Sequence, residues 1–222
     1  MRNIVINQSS GIGDILFLEP MLRHLSKNNI VTFPVEDCFM WIKKHIPYIN
    51  FVAKSRYHID CTDMVMTEEY LPLRYANQIL RGYDRHDHHD QENTMLDKYR
   101  LLGLPDDMWL GMDFVRDYKS ERELFNKLEC RYDYNLINNQ SRAGNTQIQK
   151  DGVLMQPIEG YSLIDWAMVM ERARENHHVS TSTFYMMVWL KLDNCFVYPR
   201  PDVYGLEGIS QLLPMTKVNS IS

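Results

Sequence analysis

Cysteine is scarce and scattered in this chain: Cys38, Cys61, Cys130 and Cys195 form no C-x-x-C pair. That spacing suits neither a zinc site nor the disulfide framework of a small secreted domain. Long apolar runs are missing too. The opening MRNIVINQSSGIGD leads straight into a strand pattern without a signal core, and no later stretch approaches the length of a membrane span. These absences set the expectation of a cytoplasmic protein. An excess of positive charge is also lacking. The formal net charge of −5 argues against general polyanion binding, because nonspecific nucleic-acid affinity comes from clustered cations. A local basic groove stays open. No internal repeat is visible by eye.

What is present suffices for a core. Hydrophobic residues make up 45% of the chain and aromatics 11%, so global disorder is excluded. Asn3–Asn7 is a short apolar run, followed by Ser9-Ser10-Gly11-Ile12-Gly13-Asp14 and then by Ile15, Leu18, Leu22 and Leu25 at helical spacing. This reads as strand, glycine turn and helix, the start of a doubly wound unit. Pro20 is expected to kink the helix because it removes a backbone donor. Strands are predicted at Ile30–Val35, Ile49–Ala53 and Asp63–Thr67, with a helix at Phe39–Ile46 stopped by Pro47. Further helices are predicted at Leu73–Leu80, Met95–Leu102 and Ser120–Leu128, the last with Ser120 as N-cap and Glu123 closing a capping box.

From Tyr134 the alternation begins again. Strands are predicted at Tyr134–Asn138, Val153–Gln156, His177–Ser180 and Cys195–Tyr198, and helices at Ser162–Arg174 and Ser182–Leu192. The tail from Leu212 carries no pattern. Short connections between alternating elements imply mainly parallel sheets. The expected architecture is α/β, with two Rossmann-like lobes spanning 1–118 and 130–222.

The first turn carries the most chemistry. A strand followed by Gly-x-Gly-Asp where a helix begins leaves amides facing outward at the positive end of a helix dipole. A dinucleotide fingerprint needs a third glycine, and Leu16 stands there instead. A dehydrogenase would also need a ribose-binding acid after the second strand, and Glu36 and Asp37 lie near that place. Asp14 by itself has a plain alternative as a helix cap. The run Asp84, His86, Asp87, His88, His89, Asp90 offers metal-ligand chemistry, against the plainer reading of a solvated loop, and the reading adopted is no metal. Trp166, Trp189 and the methionines in the apolar helical patterns read as core.

The stretch MRNIVINQSSGIGDILFLEPMLRHL resembles the N-terminal signature of heptosyltransferase-like enzymes, two-lobed glycosyltransferases of the GT-B architecture. Their pattern is a strand, a small-residue turn, Gly-Asp, and an apolar helix with an internal proline. Gly13, Asp14, Pro20 and Leu22 fall in register. The resemblance implies that Asp14 is the base for the acceptor hydroxyl. Gly160-Tyr161-Ser162-Leu163-Ile164 and Val179-Ser180-Thr181-Ser182-Thr183-Phe184-Tyr185 are similar to the family's second lobe, where a turn at a helix N-terminus holds the donor diphosphate. Ser180 stands where the family has aspartate and Ser182 where it has glycine. The second lobe is shortened, and the family's lysine-bearing loop has no clean match.

The resemblance therefore implies a nucleotide-sugar-dependent, inverting and metal-independent transferase without a cofactor, the nucleotide sugar being a substrate. Donor contacts are expected from Asn139, Arg142, Glu159, Ser180, Thr181, Ser182 and Thr183. Acceptor-side contacts are expected from Ser10, Gly11, Gly13, His86, His88, Lys98 and Arg100. The expected partners are a nucleotide-sugar donor and an acceptor that is either a cell-envelope saccharide or a hydroxylated base in viral DNA. A noncatalytic nucleotide- or saccharide-binding module with a degenerate fold is the alternative.

Overall fold

Short β-branched and apolar runs in the first half build a parallel sheet, buried along Ile4–Ile6 and alternately buried along Ile30–Val35. The computed structural model describes residues 1–7, 11–57, 63–66, 94–100, 102–130, 133–142, 144–201, 206 and 209–221. It divides into two units, Met1–Val115 and Arg116–Ser222.

In the first unit, β1 (Asn3–Asn7), β2 (Ile30–Val35), β3 (Asn50–Ala53) and β4 (Asp63–Met66) form one parallel sheet in the order β3-β2-β1-β4. Val5 sits between Thr32 and Met64, and Phe33 lies opposite Phe51 with their rings stacked at 5.7 Å. Helix α1 (Ile12–Ser26) runs on through the buried Pro20. Ile15, Leu16, Phe17, Leu18, Met21 and Leu22 on α1 are fully buried, each contributing about 1.5–3 kcal/mol of transfer free energy. The segment expected as an α-helix at 39–46 is instead a 3-10 helix, Asp37–Lys44. Ile42 is the buried residue within it, so no apolar stripe fixes its pitch. Helix α2 (Thr94–Arg100) follows the expected position. The helix expected at 73–80 and the polar run at 82–93 lie outside the described residues.

A buried carboxylate ties this unit together. Glu19 on α1 has no exposed surface, and it accepts hydrogen bonds from the Tyr48 hydroxyl and from the Asp113 amide (2.8 Å). Arg23, one turn along, pairs with it at 3.1 Å and donates to the Gly111 carbonyl. Burial pushes the Glu19 carboxyl up, although the Tyr48, Asp113 and Arg23 contacts oppose the rise. The strap 111–115 is thereby held against α1.

The second unit repeats the theme. Its five-stranded parallel sheet has the order β11-β10-β9-β5-β8, from β5 (Asn135–Asn138), β8 (Val153–Leu154), β9 (Glu175–Val179), β10 (Cys195–Tyr198) and β11 (Asn219–Ser220). A small antiparallel hairpin, β6 (Gln140–Ser141) and β7 (Gly144–Asn145), follows β5. Helix α3 (Tyr118–Lys127) starts earlier than expected, because Asp117 rather than Ser120 is its cap: the Asp117 carboxylate accepts from the Ser120 amide at 3.1 Å. The expected helix at 162–174 opens with a 3-10 turn, Ile164–Trp166, and continues as α4 (Ala167–Arg172). Its reciprocal Ser162–Asp165 cap is present, with the Ser162 amide and hydroxyl both 2.7 Å from Asp165 Oδ2. Helix α5 (Ser182–Trp189) follows β9. Arg116, the first residue of this unit, forms ion pairs with Glu121 on α3 and Glu171 on α4 at 2.5 and 2.6 Å. Those bonds hold its guanidinium well above its ordinary value.

Strand β11 has no counterpart in the sequence reading. Two polar residues carry no alternation, and the strand is held by backbone bonds, including Ile221 N–H to the Val197 carbonyl at 2.9 Å. Among the described residues no helix is long and apolar enough to cross a membrane.

Candidate active site

Strand order locates the crevice in each unit. In parallel α/β sheets ligands bind beyond the carboxyl ends of the strands, where the chain's direction of winding reverses. In the first sheet the chain moves from β1 outward to β2 and β3, then returns to β4 on the other side of β1. The crevice therefore lies beyond β1 and β4. Gly11, Gly13 and Asp14 follow the end of β1 there, with Gly11 as the N-cap of α1.

Asp14 is 27% exposed, and both of its oxygens have partners. Oδ2 accepts from the Gly11 amide at 3.3 Å, so the capping role is realised in part. Oδ1 accepts from Lys98 Nζ at 2.9 Å. The Lys98 side chain is only 6% exposed. Tyr99, the next residue on α2, explains how a lysine 84 positions away is brought to this point. Its buried hydroxyl donates to the Phe17 carbonyl at 2.5 Å, and its ring meets Phe17 edge-on at 5.2 Å. Arg100 points elsewhere and grips Asp106 with two bonds of 2.8 and 2.5 Å. That grip lowers the Asp106 carboxyl. Ser10, His86 and His88 lie outside the described residues.

In the second sheet the chain passes from β5 to β8 on one side, then to β9 on the other and on to β10 and β11. The crevice lies beyond β5 and β9. Asn138 ends β5, and Ser180–Thr183 follows β9. Asn138, 8% exposed, donates through Nδ2 to the hydroxyl oxygens of Thr181 (3.3 Å) and Thr183 (3.1 Å). Thr181 in turn donates to the Val179 carbonyl at 3.3 Å, and the two threonine oxygens lie 3.2 Å apart. Both threonine hydroxyls are thus engaged inside the protein. Thr181 occupies the N-cap position of α5, yet no side chain caps that helix. The Phe184 amide bonds the Thr181 carbonyl at 3.0 Å, which leaves the Ser182 and Thr183 amides without an intrahelical partner, and the half-buried Ser182 hydroxyl has no partner among the described residues.

The other expected donor residues are not gathered here by any hydrogen bond. Arg142 is exposed at the tip of the β6–β7 hairpin, and Glu159 is exposed in the turn before Gly160. Asn139 accepts from the Thr146 amide through its carbonyl at 2.9 Å. Ser180 is buried and donates its amide to the Tyr198 carbonyl at 2.8 Å. In the sequence Asn138 stands out only as the end of a predicted strand. Its signal is an amide side chain closing the otherwise apolar run Leu136-Ile137.

The crystal structure of a glycosyl transferase family 9 protein from Veillonella parvula superposes with a TM-score of 0.61 at 12% identity, covering 99% of this chain and 85% of that one. The fold is that of a family 9 glycosyltransferase. A second glycosyltransferase fold, that of the iron-containing dodecameric TibC from enterotoxigenic E. coli, matches with a TM-score of 0.57 at 10% identity, over 89% of this chain and 58% of that one. No protein-family profile matches the sequence, and no curated protein matches it either. The two-sheet glycosyltransferase fold expected from the motifs is therefore the one the chain adopts, although its sequence has diverged far from these structures.

Proposed function

We propose that the chain is a nucleotide-sugar-dependent, inverting glycosyltransferase in which Asp14 is the base. One observation carries this reading: in a glycosyltransferase fold, the winding reversal of one sheet presents a carboxylate and that of the other presents an uncapped helix start. The donor diphosphate would sit at the start of α5, met by the Ser182 and Thr183 amides and the Ser182 hydroxyl, with Arg142 as a further cation. Thr181 and Thr183 would shape this turn rather than touch phosphate, since the Thr181 proton goes to the Val179 carbonyl and the Thr183 oxygen accepts from Asn138 and lies 3.2 Å from that of Thr181.

The acceptor hydroxyl would lie against Asp14 Oδ2, whose one partner among the described residues is the Gly11 amide at 3.3 Å. As the acceptor oxygen bonds to the anomeric carbon, the bond from that carbon to the phosphate oxygen breaks and its electron pair leaves with the diphosphate. The acceptor proton passes to Asp14. Its removal is needed only as the new bond forms, so a weakly basic carboxylate serves. Attack from the face opposite the leaving group inverts the anomeric carbon.

The test is mass spectrometry of products from a panel of UDP-, GDP- and ADP-sugars, offered with envelope saccharides and with DNA containing hydroxymethylated bases. A product from one donor is expected, and the acceptor that carries it separates the saccharide and DNA arms. A protein that yields no product and is stabilised by no nucleoside diphosphate would be a noncatalytic module instead.

A further inference from the structure

The Asp14 carboxylate is held by a group that the proposed reaction does not itself need. Lys98 Nζ lies 2.9 Å from Oδ1, on a side chain with 6% exposure. Its helix is aimed by Tyr99, which bonds the Phe17 carbonyl on the same helix that carries Asp14. Resting on the transferase reading, we propose that Lys98 is the positioning residue of the base: it fixes the Asp14 rotamer and leaves Oδ2 as the working oxygen.

A physical argument supports this. With Oδ1 bound to Lys98 and Oδ2 to the Gly11 amide, the carboxylate is anchored at both ends. A base fixed in this way presents one oxygen to the acceptor without searching rotamers, and orientation is a large part of what an active site supplies.

The pair also explains why a lysine tolerates burial on α2. Leu96 and Tyr99 on the same helix are buried by packing, whereas Arg100 turns outward to Asp106. Of the two cations on α2, Lys98 is the one that reaches Asp14.

The test compares wild type with Lys98→Met, Lys98→Arg and Tyr99→Phe, using the full chain and the UDP-, GDP- or ADP-sugar that yields product in the panel. Lys98→Met keeps the length and removes the charge. Its kcat is expected to fall by about tenfold or more, a part of the roughly 10²–10⁴-fold that positioned proton transfer supplies, while the donor KM stays within about twofold. Lys98→Arg recovers part of the loss, because it restores a cation at Asp14. Tyr99→Phe keeps both charges and loosens the aim of α2, so it lowers kcat by a smaller factor. A Lys98→Met protein with wild-type or higher kcat, or with KM alone raised, would overturn the proposal. Should Lys98→Met fail to fold, an unchanged kcat in Tyr99→Phe overturns it instead. Absence of transfer by the wild-type protein is a separate result: it removes the transferase reading and this inference with it.

Discussion

His178 should make the second unit unusually sensitive to acid. It lies on β9 with no exposed surface, and among the described residues neither ring nitrogen has a hydrogen-bond partner. Burial, with a smaller push from His177, drives its pKa down from the ordinary 6.5 to about 3. The imidazole is therefore neutral in the folded protein, whereas the unfolded chain protonates it near 6.5. The stability this contributes is complete above pH 6.5 and is lost as the pH falls toward the folded value. Each pH unit in that window is worth about 1.4 kcal/mol, so a drop to pH 4.5 removes about 3 kcal/mol through this residue alone. Other groups titrate in the same range, and a variant isolates the effect. His178→Leu has similar bulk and no titration. Its denaturant-derived stability at pH 7.5 should equal or exceed that of wild type, since two unpartnered nitrogens are replaced. Between pH 7.5 and 4.5 it should lose about 3 kcal/mol less than wild type. Hydrogen exchange of β9 peptides would place the difference in the second unit. Equal losses in the two proteins would refute the argument.

Two further perturbations have defined outcomes. Asp14→Ala removes a carboxylate partner of the nearly buried Lys98 ammonium and should cost about 3 kcal/mol in chemical denaturation, the low end for a buried pair because Asp14 is partly exposed. Asp14→Ala with Lys98→Met should recover most of that loss, and additivity of the two single changes would show that the pair is not coupled. At Gly152 an added Cβ would stand 2.2 Å from the Asn135 carbonyl oxygen, backbone that cannot swing aside. Gly152→Ala should therefore lower the thermal midpoint, with a cost of about 1–3 kcal/mol from overpacking at the start of β5.

Much of this architecture was legible because its strands are short apolar runs and its turns are rich in glycine and serine. Ile30–Val35 and Cys195–Tyr198 match their predicted limits, and the Gly-Asp turn begins α1 as its motif implied. What escaped notice depends on partners distant in sequence. Nothing local in Lys98 announces Asp14, because the contact is made by the docking of α2 through Tyr99. Thr181 and Thr183 read as phosphate donors in a linear sequence, yet Asn138 on a neighbouring strand turns them inward. Strand β11 forms from backbone bonds, to which the identity of its two polar side chains gives no clue. The cap of α3 was misplaced because Asp117 and Ser120 are both good caps, and the Asp117 carboxylate reaches the Ser120 amide. The family resemblance rested on two turns, and both stand at the winding reversals of their sheets.

The most direct test is a single-turnover transfer assay on Asp14→Asn. This change keeps an oxygen for Lys98 to bond and removes the base, so folding and nucleotide-sugar binding should persist. Transfer is expected to fall by about 10²–10⁴-fold with donor affinity within about twofold of wild type. An Asp14→Asn protein that binds donor and transfers sugar at the wild-type rate would contradict the assignment.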